Sequence, residues 1–140
     1  MSSVGASKTP QRPLPHITEM NHHFWCGGAD GRLHILHCQS CEYFIHPYAA
    51  RCPECGSDKV DVAPVSGRAT IVGYTVNYHP WVAGVEVPYV VAIVELEEQA
   101  NIRLMTNMPR TPISQVAIGL KVKVFFERHG EIFLPLFESY

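Results

Sequence analysis

Four cysteines stand at the spacing of a metal clamp. Cys38-Gln39-Ser40-Cys41 is followed, after ten residues, by Cys52-Pro53-Glu54-Cys55. Two C-x-x-C knuckles this close can each turn two thiolates onto one tetrahedral ion, and Pro53 and Gly56 suit the tight turn and positive φ that the second knuckle needs. The expected ligand set is Cys38, Cys41, Cys52 and Cys55, and the expected ion is a single Zn2+. Two disulfides, or four independent thiols, are the competing readings. They rank lower because the first residues include Lys8 and Arg12 but no apolar run of signal-peptide length, so nothing points to export into an oxidising compartment. The same cage suits the iron of a rubredoxin-like electron carrier, and spacing does not separate the two ions. Four protein ligands close the shell of zinc, which makes its expected role structural. His34, His37 and His46 flank the knuckles, but four thiolates already fill the shell. Cys26 lies beside Gly27 and Gly28 with no partnered base in the sequence and reads as a partly buried thiol.

The elements that must hold these thiolates follow from length and pattern. A chain of 140 residues holds about one ordinary domain. The stretch 32–63 is too short to be stabilised by apolar burial alone, and a bound metal would supply that stability. It is expected to form a zinc ribbon. Leu33, Ile35 and His37 alternate with His34 and Leu36 ahead of Cys38, and Tyr43-Phe44-Ile45 leaves the first knuckle. His46 to Arg51 links to the second knuckle, Lys59 to Ala63 makes a short exit strand, and Pro64 marks a boundary. Ahead of the ribbon, residues 1–16 are rich in Ser, Gly and Pro and are expected to be a disordered arm. In the segment 17–31, Thr18 can cap a helix running from Ile17 to Trp25, with Met20, Phe24 and Trp25 as its apolar stripe, before a glycine-rich turn. A helix of about two turns is unstable alone and must pack on this chain's own sheet or on a partner.

Residues 64–140 read as an all-β domain. Arg68 to Tyr78 is a long strand bent at Gly73, and the nearly continuous apolar run Tyr89 to Glu97 is a central strand. Ile102 to Asn107 places Ile102, Leu104 and Thr106 on one face. Ile113 to Ile118 forms one helical turn or two. Leu120 to Arg128 alternates Leu120, Val122, Val124 and Phe126 against Lys121, Lys123 and Phe125, and Ile132 to Phe137 closes the set. Five strands with a helical piece before the fourth suggest a small, partly open barrel of OB type, filled by its own side chains. The loop His79 to Pro88 presents Trp81. The fold class is therefore mainly β: a short N-terminal helix, the zinc ribbon, then a five-stranded OB-fold barrel.

Other chemistry is sparse. Eleven Lys and Arg balance thirteen Asp and Glu, which argues against a large footprint for nucleic acid or anionic membrane, and no apolar stretch reaches membrane-spanning length. A cytoplasmic protein is expected. The sequence contains no P-loop, Rossmann fingerprint or nucleophile elbow. Glu95, Glu97 and Glu98 cluster at a strand end, where solvation explains them better than acid–base work. Tyr74, Tyr78, Trp81 and Phe125 could stack bases, so a single-stranded nucleic-acid module is an alternative function, although the basic residues are scattered. The pattern points to a binding or scaffolding module and not to an enzyme.

The ordered set Phe24-Trp25, Gly31-Arg32-Leu33, the knuckle pair, Ser66-Gly67-Arg68, Pro88-Tyr89-Val90-Val91 and Ile118-Gly119-Leu120-Lys121-Val122 resembles one family. Its members join a rubredoxin-like zinc ribbon to an OB-fold and accompany acyl-CoA enzymes. The resemblance covers roughly residues 17–137 and implies an accessory subunit without catalytic residues of its own. In archaea such proteins look like bridges between a thiolase and a hydroxymethylglutaryl-CoA synthase. In actinobacteria similar domains bind a thiolase-fold aldolase in steroid side-chain degradation, usually as the tail of a larger hydratase subunit. No hydratase-like segment is seen here, so a free-standing accessory subunit or an excised domain is expected. The linker His46-Pro47-Tyr48-Ala49-Ala50 departs from the consecutive prolines and arginine more usual in the family. The implied partner is a thiolase-like or aldolase subunit, with Met20, Phe24, Trp25 and Trp81 as candidate contacts. An acyl-CoA contact through Arg68, Arg103 or Arg110 is a further expectation.

Overall fold

The computed structural model describes residues 12–140, so most of the expected disordered arm, residues 1–11, lies outside the described residues. Residue 12 onward is tied to the body of the protein. Arg12 Nε donates to Glu127 Oε1 at 2.7 Å, and His129 Nε2 lies 2.7 Å from the same oxygen. Burial alone would raise Glu127, but the hydrogen bonds and charges of Arg12 and His129 hold its carboxyl below the usual range.

The N-terminal helix is shorter than expected. Helix α1 spans only His22–Trp25, because Asn21 commits the preceding residues to a turn. Its Oδ1 accepts the Thr18 N–H at 2.7 Å and its Nδ2 donates to the His16 carbonyl at 3.0 Å. Thr18 serves as a carbonyl acceptor for Asn21 and His22, not as a side-chain cap. Phe24 is buried in the main core, edge-on to Trp25 at 4.8 Å between ring centres. A 3₁₀ turn over Gly27–Asp30 follows and presses against the barrel: a Cβ at Gly28 would lie 2.6 Å from the Phe126 ring and 2.9 Å from Phe133. Only glycine permits that approach.

Three strands, β1 (Leu33–Cys38), β2 (Phe44–Ile45) and β3 (Val60–Val65), form an antiparallel sheet in the order β2-β1-β3. β3 runs through Pro64, which pairs with His34, so the exit strand is longer than expected. β3 is an edge strand and Pro64 needs no ladder donor there. β1 serves two cores. Leu33 and Ile35 point into the main core, while Leu36 and Cys38, on the opposite face, build a small second core with Ile45 and Cys52.

Five strands follow: β4 (Arg68–Asn77), β5 (Tyr89–Leu96), β6 (Arg103–Asn107), β7 (Lys121–His129) and β8 (Ile132–Ser139), in the order β6-β5-β4-β7-β8. β4 carries a register shift between Ile71 and Gly73, where the sequence places a bend. The interior is filled by Ile71, Val94, Leu104, Val122 and Phe137. β6 and β8 meet through a side chain and not a ladder, with Thr106 Oγ1 donating to the Pro135 carbonyl at 3.3 Å. Pro135 brings no N–H to that seam, which leaves the barrel partly open, as the sequence suggests. The helical piece before β7 is a single 3₁₀ turn, Ile113–Gln115. β5 is central, yet Ile93 on its outer face is exposed, so its apolar run is not buried on both sides.

Candidate metal centre and adjoining groove

The two knuckles have one backbone design. At the first, the Glu42 N–H reaches the Cys38 carbonyl at 2.9 Å and the Cys41 N–H points at Cys38 Sγ at 3.4 Å. At the second, the Gly56 N–H reaches the Cys52 carbonyl at 2.9 Å and the Glu54 N–H points at Cys52 Sγ at 3.4 Å. The residue four beyond the leading cysteine has positive φ in both, 67° at Glu42 and 78° at Gly56. Sequence inspection finds the second of these and misses the first, because glutamate gives no sign of that conformation. The Ser40 and Ser57 hydroxyls bridge the knuckles at 2.8 Å.

All four sulfurs lie within 4.8 Å of one another, with Cys38–Cys55 and Cys41–Cys52 at 3.6 Å. A tetrahedron of thiolates about 2.3 Å from a zinc ion has edges of about 3.8 Å. The four cysteines are thus positioned to bind a metal ion, and an all-sulfur donor set fits a thiophilic one. Cys38 and Cys52 are buried and Cys41 and Cys55 face solvent. The Cys41 N–H, with further hydrogen bonds, lowers Cys38 to about 6. Cys41 is lowered by the Tyr43 N–H but raised more by desolvation and the neighbouring thiols, to about 12. A divalent ion at the centre of the four sulfurs would supply the positive charge that lets all of them ionise.

The histidines stay apart from this cluster. His34 pairs with Asp30 at 3.0 Å, His37 Nδ1 lies 3.3 Å from the Gln39 amide, and His46 packs on the Phe24 ring at 4.7 Å. Burial, with the charge of His23, depresses His46 to about 4. Cys26 is half-buried, with burial and Glu131 raising its thiol. A clasp invisible in the sequence fixes the ribbon to the barrel: Gln99 Oε1 accepts the Phe44 N–H at 2.8 Å and Gln99 Nε2 donates to the Phe44 carbonyl at 2.9 Å.

Beside the ribbon, a groove of about 420 Å3 runs between α1, the His46–Tyr48 loop and β6. It brings together three of the candidate partner residues, Met20, Phe24 and Trp25, although buried Phe24 offers little surface. Trp81 is elsewhere, on the β4–β5 loop, 72% exposed and held by a 2.9 Å hydrogen bond from its Nε1 to Asn77 Oδ1. The three arginines considered for phosphates are not gathered into one site. Arg68 pairs with Glu97, Arg110 lies over the Phe125 ring at 3.8 Å, and Arg103 lines the groove. Glu95 and Glu98 accept the Asn101 and Ser66 N–H groups, so this acidic strand end is used to order turns.

Comparison with known proteins fits this architecture. A sequence-family model of the ChsH2 C-terminal OB-fold domain matches residues 62–127. The solved structure of the Ltp2-ChsH2(DUF35) aldolase contains a chain 33% identical to this one, superposing with a TM-score of 0.80 over 90% of this chain and 98% of that one. The chain belongs to the ChsH2 C-terminal OB-fold (DUF35) family. Within the family, 127 residues are 35% identical to a probable enoyl-CoA hydratase alpha subunit of Thermomonospora curvata. That match takes in 90% of this chain but only 39% of the relative, so the chain spans about two fifths of that protein's length. The benzoylsuccinyl-CoA thiolase subunit BbsA of Thauera aromatica is 28% identical over 80% of this chain and 77% of its own length. Among the described residues, no helix is long and apolar enough to cross a membrane.

Proposed function

We propose that this family member is a non-catalytic, zinc-binding accessory subunit that docks on a thiolase-superfamily enzyme, a thiolase or an aldolase, and supports its acyl-CoA chemistry. The observation that carries the reading is the likeness to nearly the whole length of the ChsH2 chain in a solved aldolase assembly. The thiolase subunit BbsA, matched over most of its length, adds a second relative whose name places it in an acyl-CoA enzyme.

In this reading Cys38, Cys41, Cys52 and Cys55 hold one Zn2+ whose closed shell leaves no place for a substrate, so the ion orders the ribbon and takes no part in turnover. The turn before α1 and α1 itself then present Met20 and Trp25 to the partner, with Phe24 anchoring them from the core, and Trp81 offers a second contact. Reduced thiolates suit the cytoplasm. Co-expression of the chain with thiolase-fold enzymes of its own organism tests the assignment: a stable complex containing one zinc per accessory chain is expected. Failure of every such enzyme to co-purify overturns it.

A further inference from the structure

β6 is an edge of the barrel sheet, and the outward main-chain groups of Arg103 and Met105 have no hydrogen-bond partner among the described residues. The Leu96 N–H to Ile102 carbonyl bond, 2.9 Å, marks that pair as hydrogen-bonded. In an antiparallel ladder the hydrogen-bonded pairs recur every second residue, so Leu104 and Thr106 face β5 with their N–H and C=O, across from Val94 and Ala92. Arg103 and Met105 therefore aim theirs away from β5, and β6 pairs with no strand on that side. Thr106 and Pro135 close the seam with β8 further along.

The groove lies along this edge, since Arg103, Leu104 and Met105 form one of its walls. The opposite wall includes Met20, Trp25, Pro47 and Tyr48, and Met105 is 73% exposed. Among the described residues, no carboxylate lines it. Glu95, across the ladder from Arg103, turns its carboxylate to the Asn101 N–H at 2.7 Å. Among the described residues, the edge thus combines unpaired main-chain donors and acceptors about 7 Å apart, mainly apolar walls and a cation without an ion-pair partner.

We infer that the Arg103–Met105 edge of β6 receives an extended segment of the partner subunit as an added strand, its apolar side chains seated in the groove and an acidic residue meeting Arg103. The inference rests on the subunit reading above, and it names where and how docking occurs. Main-chain bonds supply attachment, while the groove and the arginine select the side chains.

Met105 gives a clean probe. Its N–H makes no ladder bond, so Met105→Pro removes an outward donor without breaking β6–β5 pairing, whereas Met105→Ala trims the side chain and keeps the donor. In a complex with the co-purified thiolase-fold enzyme, exchange of the Arg103 and Met105 amides should slow at least about tenfold. Met105→Pro should weaken the complex about tenfold, the loss expected for one well-made hydrogen bond, and Met105→Ala less than about threefold. A complex that forms while these amides exchange as in the free chain, or that tolerates Met105→Pro, overturns the strand addition and leaves the subunit reading standing. If no thiolase-fold enzyme binds, the subunit reading falls and acetylated nine-residue peptides of alternating valine and threonine decide the edge. Preference for a central glutamate over a central lysine, with protection at 103 and 105, upholds it. Equal binding, no binding, or protection of these amides only by a second copy of the chain or by acyl-CoA overturns it.

Discussion

At the scale of single residues, the knuckles show how one backbone demand is met by two different side chains. Glu42 and Gly56 occupy equivalent positions at φ 67° and 78°, a region that strains any residue with a Cβ. Glu42→Gly should relieve that strain, partly offset by the entropy of a freer unfolded chain, and stabilise the metal-loaded protein by about 0.5 kcal/mol. Gly56→Ala should cost about 1 kcal/mol even though its Cβ would meet open space, because only φ opposes it. Paired thermal melts of the two variants check both signs. His46 carries the clearest pH dependence. Its folded pKa of about 4 lies below the ordinary histidine value of about 6.5, so the neutral ring favours the fold. That contribution is fully present above pH 6.5 and is lost as pH falls toward 4, amounting to about 3 kcal/mol at full protonation. His46→Phe keeps a ring against Phe24 and should flatten the stability profile across this window, as urea titrations at several pH values would show.

At the scale of elements, short pieces of structure are stable because others complete them. β2 is only two residues long and lies at the edge of its sheet, yet Gln99 satisfies both main-chain groups of Phe44 from the β5–β6 turn. Gln99→Ala should cost about 1–2 kcal/mol and raise the exchange rate of the Phe44 amide selectively, since one hydrogen-bond partner serves both groups. α1, of four residues, has no stability of its own and relies on Phe24 in the core and on Gly28 against Phe126. The sequence pattern announces strands β4 to β8 well, because alternation and β-branched residues speak directly to burial. It overstates α1, because the Asn21 side chain, which ties His16 and Thr18 outside the helix, acts through contacts that no periodicity encodes.

At the scale of the molecule, two cores share one strand. β1 gives Leu33 and Ile35 to the barrel-side core and Leu36 and Cys38 to the ribbon core, so the cysteine cluster and the barrel share one strand. Removing the ion should nonetheless affect them unequally. A chelator is expected to abolish exchange protection around Ile45 and Cys52, whose small core has few apolar residues, while amides of Val94, Val122 and Phe137 stay protected. Loss of protection throughout would show that the ribbon core supports the barrel. The groove beside α1 draws its walls from the N-terminal turn, the ribbon loop and β6, segments that lie up to 85 positions apart between Met20 and Met105.

The cysteine quartet, its spacing and the strand pattern were determined by the sequence, because thiolate chemistry needs those residue types in that order and alternation reports which face of a strand is buried. The tertiary structure alone decided the Gln99 clasp, the strained Glu42, the shared strand and the free edge of β6 facing Met20 and Trp25. Each depends on where distant segments meet, and side-chain hydrogen bonds and unpaired strand edges leave no periodic trace along the chain.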